Sequence, residues 1–321
     1  MRRTKAAAVL SLGLLFALGC DERDSPMSPA AEPPDAAISQ PDSETADSEM
    51  AGSEVESSEM ATAEAAGAAG SMAGLIFGVD ADNTLIAFSR RNPGSLNRRV
   101  PITGTDGEIV GLDFRPNDLN PADGRNMAGK LFGLTKTAVY IINPMTGVAT
   151  RMRTLTAPLA GAFFGTGFNP TVDRLRSHAN DGQNNAVNVD DGVTAVNTPL
   201  AYASGDVNAG KAADIVGTAY TNSVNPAPAT TILYAIDAAQ DALVRLAVPA
   251  DGQLATVGRL RFQTNGYVGF DIDGRSGAAF ASLTRDGTPS VLFSVNLQTG
   301  QATRIGRIGN ASPLVGIAVA R

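Results

Sequence analysis

The densest collection of chemically useful side chains lies between Asn169 and Asn222. Asn169, Asp173, Arg174, Arg176, Gln183, Asn184, Asp206, Asn208, Tyr220 and Asn222 offer amide, carboxylate, phenol and guanidinium groups at loop-like spacings. Such groups can converge on a polar ligand, and they can equally satisfy turn backbones and staple neighbouring elements together. A second set is Asp113 and Asp271, which occupy equivalent places in two copies of one short motif. Two facing carboxylates raise one another's pKa or share a cation, and paired carboxylates, with Asp173 as a third candidate, are what glycoside hydrolysis uses. Against that chemistry, residues 74–321 contain one glutamate, Glu108, and the chain has no tryptophan to stack sugars.

His178 is the sole histidine, so any histidine triad or metal site must include it. It falls on an expected strand running into an Asn/Asp-rich turn, where an exposed or partly packed side chain is expected. No Gly-x-Ser-x-Gly elbow accompanies it, and no catalytic residue is assigned. Asp80-Ala-Asp82-Asn83 and Asn188-Val-Asp-Asp-Gly192 carry the hard oxygen ligands that calcium accepts. Neither has the full alternating acidic loop with a downstream Glu, so both read as turns and no metal site is assigned. No cofactor is assigned, with calcium left open on these oxygen donors; cysteine- or histidine-ligated zinc is excluded by the residue count.

What must position these groups is a repeat. A small-residue strand recurs as Val110-Gly-Leu-Asp-Phe114, Phe164-Gly-Thr-Gly-Phe168, Val216-Gly-Thr-Ala-Tyr220, Val268-Gly-Phe-Asp-Ile272 and Val315-Gly-Ile-Ala-Val319. Its glycines fall at 111, 165, 217, 269 and 316, a period near fifty. A second apolar or Leu/Arg strand opens each unit's return, beginning at Leu75, Leu131, Arg174, Leu233 and Ala279. Tyr140-Ile-Ile-Asn-Pro-Met-Thr-Gly147 and Phe293-Ser-Val-Asn-Leu-Gln-Thr-Gly300 then share a strand-and-turn pattern whose final Gly suits a positive φ. Four short strands per unit, without extended helical periodicity, predict an all-β, five-bladed β-propeller of four-stranded antiparallel blades. The first unit lacks its own small-residue strand, so Leu314–Val319 should supply it and close the ring, removing open edges. A monomer is expected.

Charge divides the chain. Residues 21–73 hold thirteen acids against Arg23 alone, whereas residues 74–321 hold nineteen acids and twenty-one bases. The near-neutral domain lacks the clustered basic excess that nucleic acid requires. Residues 21–73, rich in Asp, Glu, Ser, Pro and Ala, cannot bury enough apolar surface to fold and read as a disordered tether. Met72 is among four methionines there expected to lack packing partners. Residues 1–20 combine Arg2, Arg3 and Lys5 with an apolar run and end in Gly19-Cys20. That is a signal peptide in outline, too short to span a bilayer comfortably. A Cys at its end resembles the bacterial lipoprotein signal, which predicts lipidation of Cys20 and a membrane-held, exported protein of the cell envelope, periplasmic or surface-facing. Being the only cysteine, Cys20 makes no intramolecular disulfide.

With Gly167-Phe-Asn-Pro-Thr-Val-Asp-Arg174, Asp181-Gly-Gln-Asn184, Leu200-Ala-Tyr-Ala-Ser-Gly-Asp-Val-Asn208 and Ala219-Tyr-Thr-Asn222 in place, residues 75–319 resemble the bacterial family known as domain of unknown function 4394. The resemblance implies a secreted or surface domain that looks like a β-propeller, and it carries no activity to transfer. Ser177-His178 departs from the apolar pair usual there, which argues against a family-wide role for His178. The expected function is a lipid-anchored binding or scaffold module for an envelope protein, a peptide or a glycan. The alternative is a hydrolase or lyase using Asp113 and Asp271, with calcium as a possible helper.

Overall fold

In the computed structural model, residues 72–121 and 124–321 are described. The expected signal peptide, Cys20 and nearly all of the expected tether lie outside them. Short apolar runs between turn residues satisfy their backbone groups between strands, and five sheets result. Blade 1 holds β1 (Leu75–Asp80), β2 (Thr84–Ser89) and β3 (Asn92–Pro101). Blade 2 holds β4 (Gly111–Phe114), β5 (Leu131–Leu134), β6 (Ala138–Ile142) and β7 (Ala149–Thr154). Blade 3 holds β8 (Phe164–Asn169), β9 (Arg174–Ala179), β10 (Asn184–Val187) and β11 (Thr194–Val196). The link to blade 4 contains β12 (Ala201–Tyr202), and blade 4 itself holds β13 (Ile215–Tyr220), β14 (Leu233–Asp237), β15 (Ala242–Leu246) and β16 (Gln253–Arg259). Blade 5 holds β17 (Gly269–Ile272), β18 (Ala279–Leu283), β19 (Val291–Val295) and β20 (Ala302–Arg307).

The fold is the expected five-bladed β-propeller, and the final strand, β21 (Leu314–Val319), closes it by pairing antiparallel with β1, Ile76 opposite Val319. One blade exceeds four strands. The link between blades 3 and 4 is long enough to lay β12 parallel against the outer edge of β16 before the chain turns in to the axis. The two related turns match in detail: Asn143 Oδ1 accepts from the Met145 and Thr146 N–H groups, and Asn296 Oδ1 from those of Gln298 and Thr299. Gly147 and Gly300 follow at φ 76° and 77°, where a side chain would be strained.

The inner strands β21, β4, β8, β13 and β17 pack each against the next around the axis. Their glycines make this possible. A Cβ on Gly111 would collide with the Thr166 hydroxyl, and one on Gly165 would lie 2.6 Å from the carbonyl carbon of Gly217. At Gly217 it would meet Phe270 Cβ at 2.9 Å, at Gly269 the Ile317 nitrogen at 2.5 Å, and at Gly316 Leu112 Cδ2 at 2.9 Å. Each glycine is thus cleared for the following blade, all the way round. Between blades the core is a set of apolar seams, such as Phe77, Leu85, Leu112 and Phe114 between blades 1 and 2. Met72, expected to lack partners, packs against this seam.

Candidate functional site

The axis is the first place to look for a site, and it is closed. Where the inner strands begin, between Gly165, Gly217, Gly269 and Gly316, about 10 Å³ remains, room for one water at most. Where they end, Asp113 and Asp271 are 3% and 4% exposed. The equivalent inner-strand places of these two carboxylates suggest a pair lining a central channel, but both are buried and line no open one. Asp113 Oδ2 accepts from the Phe168 N–H of blade 3 at 2.7 Å, and Asp271 Oδ2 from the Val319 N–H of blade 1 at 2.6 Å. Each carboxylate therefore ties its strand to the next one. Arg321 Nη2 lies 3.4 Å from Asp113 Oδ1, and its Nη1 has no partner among the described residues.

Burial, and then the Asp113 carboxylate beside it, push Asp271 up to about 8. Burial also raises Asp113, against the pull of Arg321 and the backbone N–H groups. His178 goes the other way. It is fully buried rather than exposed, its Nδ1 3.0 Å from Thr218 Oγ1, and burial followed by the Arg176 charge lowers it to about 3.

These shifts fix the pH dependence of stability. An unfolded aspartate releases its proton near 4. From there to about 8 the folded chain holds a proton on Asp271 that the unfolded chain has lost, so stability falls as pH rises. Unfolded histidine gains its proton below about 6.5 while folded His178 does not, so that contribution is lost as pH falls toward 3. The two oppose one another below pH 6.5; above it the buried Asp271–Asp113 pair acts without the histidine. Urea unfolding should therefore show a loss of about 2 kcal/mol from pH 6.5 to 8, at roughly 1.4 kcal/mol per pH unit for one proton. Asp271→Asn should flatten that limb, and a wild-type profile flat over the window would contradict the assignment.

The candidate residues between 169 and 222 do not form one pocket. Asp173, at φ 52°, joins a buried ion cluster between blades 2 and 3. Arg115, 0% exposed, donates Nε to Asp173 Oδ1 at 2.8 Å, Nη2 to Asp173 Oδ2 at 2.5 Å, and Nη1 and Nη2 to Asp190 at 2.9 and 2.7 Å. Asp118 Oδ1 lies 3.1 Å from the same Nη2. Burial works against the Arg115 charge, but the hydrogen bonds it donates to Asp173 and Asp190 outweigh it and raise its pKa. Oxygens of Asp118, Asp173 and Asp190 lie within 4.8 Å of one another, a spacing that a divalent cation could also use. In this chain the Arg115 guanidinium bridges them. Asp190 belongs to the second oxygen-rich turn; in the first, Asp80 Oδ1 accepts from the Asp82 and Thr84 N–H groups, ordinary turn chemistry.

Asp206 accepts from Thr256 N–H at 2.6 Å and Oγ1–H at 2.7 Å, which lowers its pKa despite some desolvation. Asn208 Nδ2 donates to Thr256 Oγ1 at 3.0 Å, so both pin the inter-blade link to β16. Gln183 Oε1 accepts from Ala160 N–H, Arg174 Nη1 donates to the Asp173 carbonyl, and Asn222 Nδ2 donates to the Thr230 carbonyl. Asn169, Arg176, Asn184 and Tyr220 do come together, at the seam between blades 3 and 4.

Strands β4, β8, β17 and β21 carry the two carboxylate ties at or next to their last residues. There residues that follow the inner strands enclose a hollow of about 430 Å³. Arg115 and Pro116 enter it from blade 2, Ser223 to Asn225 from blade 4, Arg275 from blade 5 and Arg321 from the closing strand. Sequence reasoning missed Arg115 and Arg321. The Arg115-Pro116 step directly after an inner strand was the available signal for the first, and the second had none.

A family model described as "Domain of unknown function (DUF4394)" matches residues 84–318. No protein of curated function matches the sequence. Among solved structures, a protein of unknown function from Bacteroides thetaiotaomicron VPI-5482 is similar at 13% identity and TM-score 0.45, over 77% of this chain and 64% of its own. Glutaminyl cyclase of Myxococcus xanthus is similar at 18% identity and TM-score 0.38, over 66% of this chain and 80% of its own. TolB of Acinetobacter baumannii is similar at 12% identity and TM-score 0.39, over 73% of this chain and 53% of its own. The propeller assignment rests on the sheets themselves.

Proposed function

The chain belongs to the family known as domain of unknown function 4394, and from that footing we infer that it is a binding module of the cell envelope, held to a membrane through Cys20. One observation carries the binding part. The axis is shut, while four blades converge on a hollow of about 430 Å³ at its end, with exposed Arg275 at the rim and the unpartnered Nη1 of Arg321 within. A ligand can rest there but cannot pass through. The donors favour a peptide or glycan rich in acceptor oxygens. A hydrolytic role for Asp113 and Asp271 would need an oxygen of each turned to substrate, whereas each already holds a neighbouring strand.

The test uses the full chain expressed with its N-terminal segment in a bacterial host. Cys20→Ser is expected to abolish incorporation of a labelled fatty acid and to move the protein from the membrane to the soluble fraction. Envelope peptides and glycan fragments are then titrated against wild type and Arg275→Ala. Loss of a charge-assisted hydrogen bond should weaken binding by about tenfold or more, with the ligand recovered intact. Ligands indifferent to Arg275→Ala would remove the axial hollow from consideration, and cleaved products would favour the hydrolase.

A further inference from the structure

Four of the five seams between blades are filled by apolar side chains drawn from both sheets. The seam between blades 3 and 4 is built differently. Its apolar cluster comes from blade 4 and the adjoining link. Blade 3 offers instead a surface of Gly165, Gly167, Arg176, His178 and Asn184, side by side across β8, β9 and β10.

Arg176 is 7% exposed, yet its partners are neutral amides: Nη1 donates to Asn184 Oδ1 at 2.9 Å and to Asn197 Oδ1 at 2.6 Å. Asn184 is fixed in turn, its Nδ2 donating to the Thr198 and Pro249 carbonyls. Among the described residues no carboxylate pairs with Arg176, and its buried Nε has no partner. A guanidinium withdrawn from water without a counter-charge is costly to hold. Beside it is Tyr220, 2% exposed, whose hydroxyl faces the Arg176 and Asn169 side chains without a well-formed hydrogen bond among the described residues. Asn169 completes the group. Its Oδ1 accepts from Thr171 N–H and Oγ1–H, which leaves its amide N–H groups to donate. Tyr220 and Asn169 line a cleft of about 290 Å³ with Thr230, Thr231, Leu233 and Pro249.

We propose that this cleft binds a small carboxylate, with Tyr220 and Asn169 donating to its oxygens and Arg176 supplying the counter-charge from beneath. The threonine hydroxyls and the apolar side chains leave room for a body the size of one amino acid or one sugar. A peptide's terminal carboxylate and a uronic acid share that chemistry. The site is separate from the axial hollow and does not depend on the function proposed for it.

Isothermal titration of the full chain with N-acetyl-alanine and with glucuronate, each beside its neutral amide, tests the proposal. At least one acid is expected to bind, at least tenfold more tightly than its amide, and the stronger of the two identifies the source. Arg176→Met should reduce that affinity tenfold or more, and Tyr220→Phe severalfold. The phenylalanine variant keeps the shape of the seam, so it decides the matter should the methionine variant fail to fold. Absence of binding by both acids at tens of millimolar, amides that bind equally well, or variants that bind as wild type would each overturn the proposal.

Discussion

Gly165→Ala should destabilise the domain by about 3 kcal/mol or more in urea unfolding of the full chain, although it adds a single methyl group. Overpacking a core usually costs about 1–3 kcal/mol because side chains can give way. Here the obstacles include backbone: the new Cβ would stand 2.6 Å from the carbonyl carbon of Gly217 and 2.7 Å from the Thr218 nitrogen. Relief requires blades 3 and 4 to separate, and in a closed ring that strains the remaining contacts as well. Gly107→Ala is the matched control, since no atom lies within 4 Å of its added Cβ and its φ is unremarkable; it should stay within about 0.5 kcal/mol of wild type. Equal stability of the two variants would mean that the inner strands do not approach one another so closely.

Arg115→Met is expected to cost about 4 kcal/mol, the loss typical when one partner of a buried ion pair is removed. The replacement has similar length and packs well, so cavity formation is a minor part of this. What remains are the Asp173, Asp190 and Asp118 carboxylates, side chains 3%, 17% and 0% exposed, without the guanidinium that bridges them. Asp190→Asn should be milder, about 1 kcal/mol, because Arg115 keeps its bidentate pair with Asp173. A methionine variant as stable as wild type would show that the cluster contributes nothing net.

The architecture was legible in the sequence because it is enforced by residues with few substitutes. A crowded axis leaves no space for Cβ at Gly111, Gly165, Gly217, Gly269 and Gly316, so those glycines mark the period directly. The Asn143–Gly147 and Asn296–Gly300 turns announce themselves by an acceptor side chain and a positive φ. The leftover copy at Leu314–Val319 located the closure. The site was less legible, since its residues act between blades. Asp113 and Asp271 were rightly placed on inner strands, but only the register of adjacent blades shows that Phe168 and Val319 claim their oxygens. His178 reads as exposed or partly packed beside a polar turn, yet the face it shares with Gly165 packs on Thr218. Asp118, Asp173 and Asp190 come from three separate loops, and no local pattern predicts that one arginine gathers them.

The closing strand has a consequence for how the protein is made. β21 is the innermost layer of the first blade, and it is the last strand of the ring to be synthesised. Until then β1 waits with its inner edge bare, and the apolar seams that Leu314, Ile317 and Val319 complete stay open on one side. Domains usually gain structure in the order in which they are synthesised; this ring cannot, because its first blade is finished last. The full set of seams is therefore a certificate of completeness. A chain cut short by its final strand is left with an unpaired edge and exposed core, the features by which chaperones and proteases recognise what should not persist.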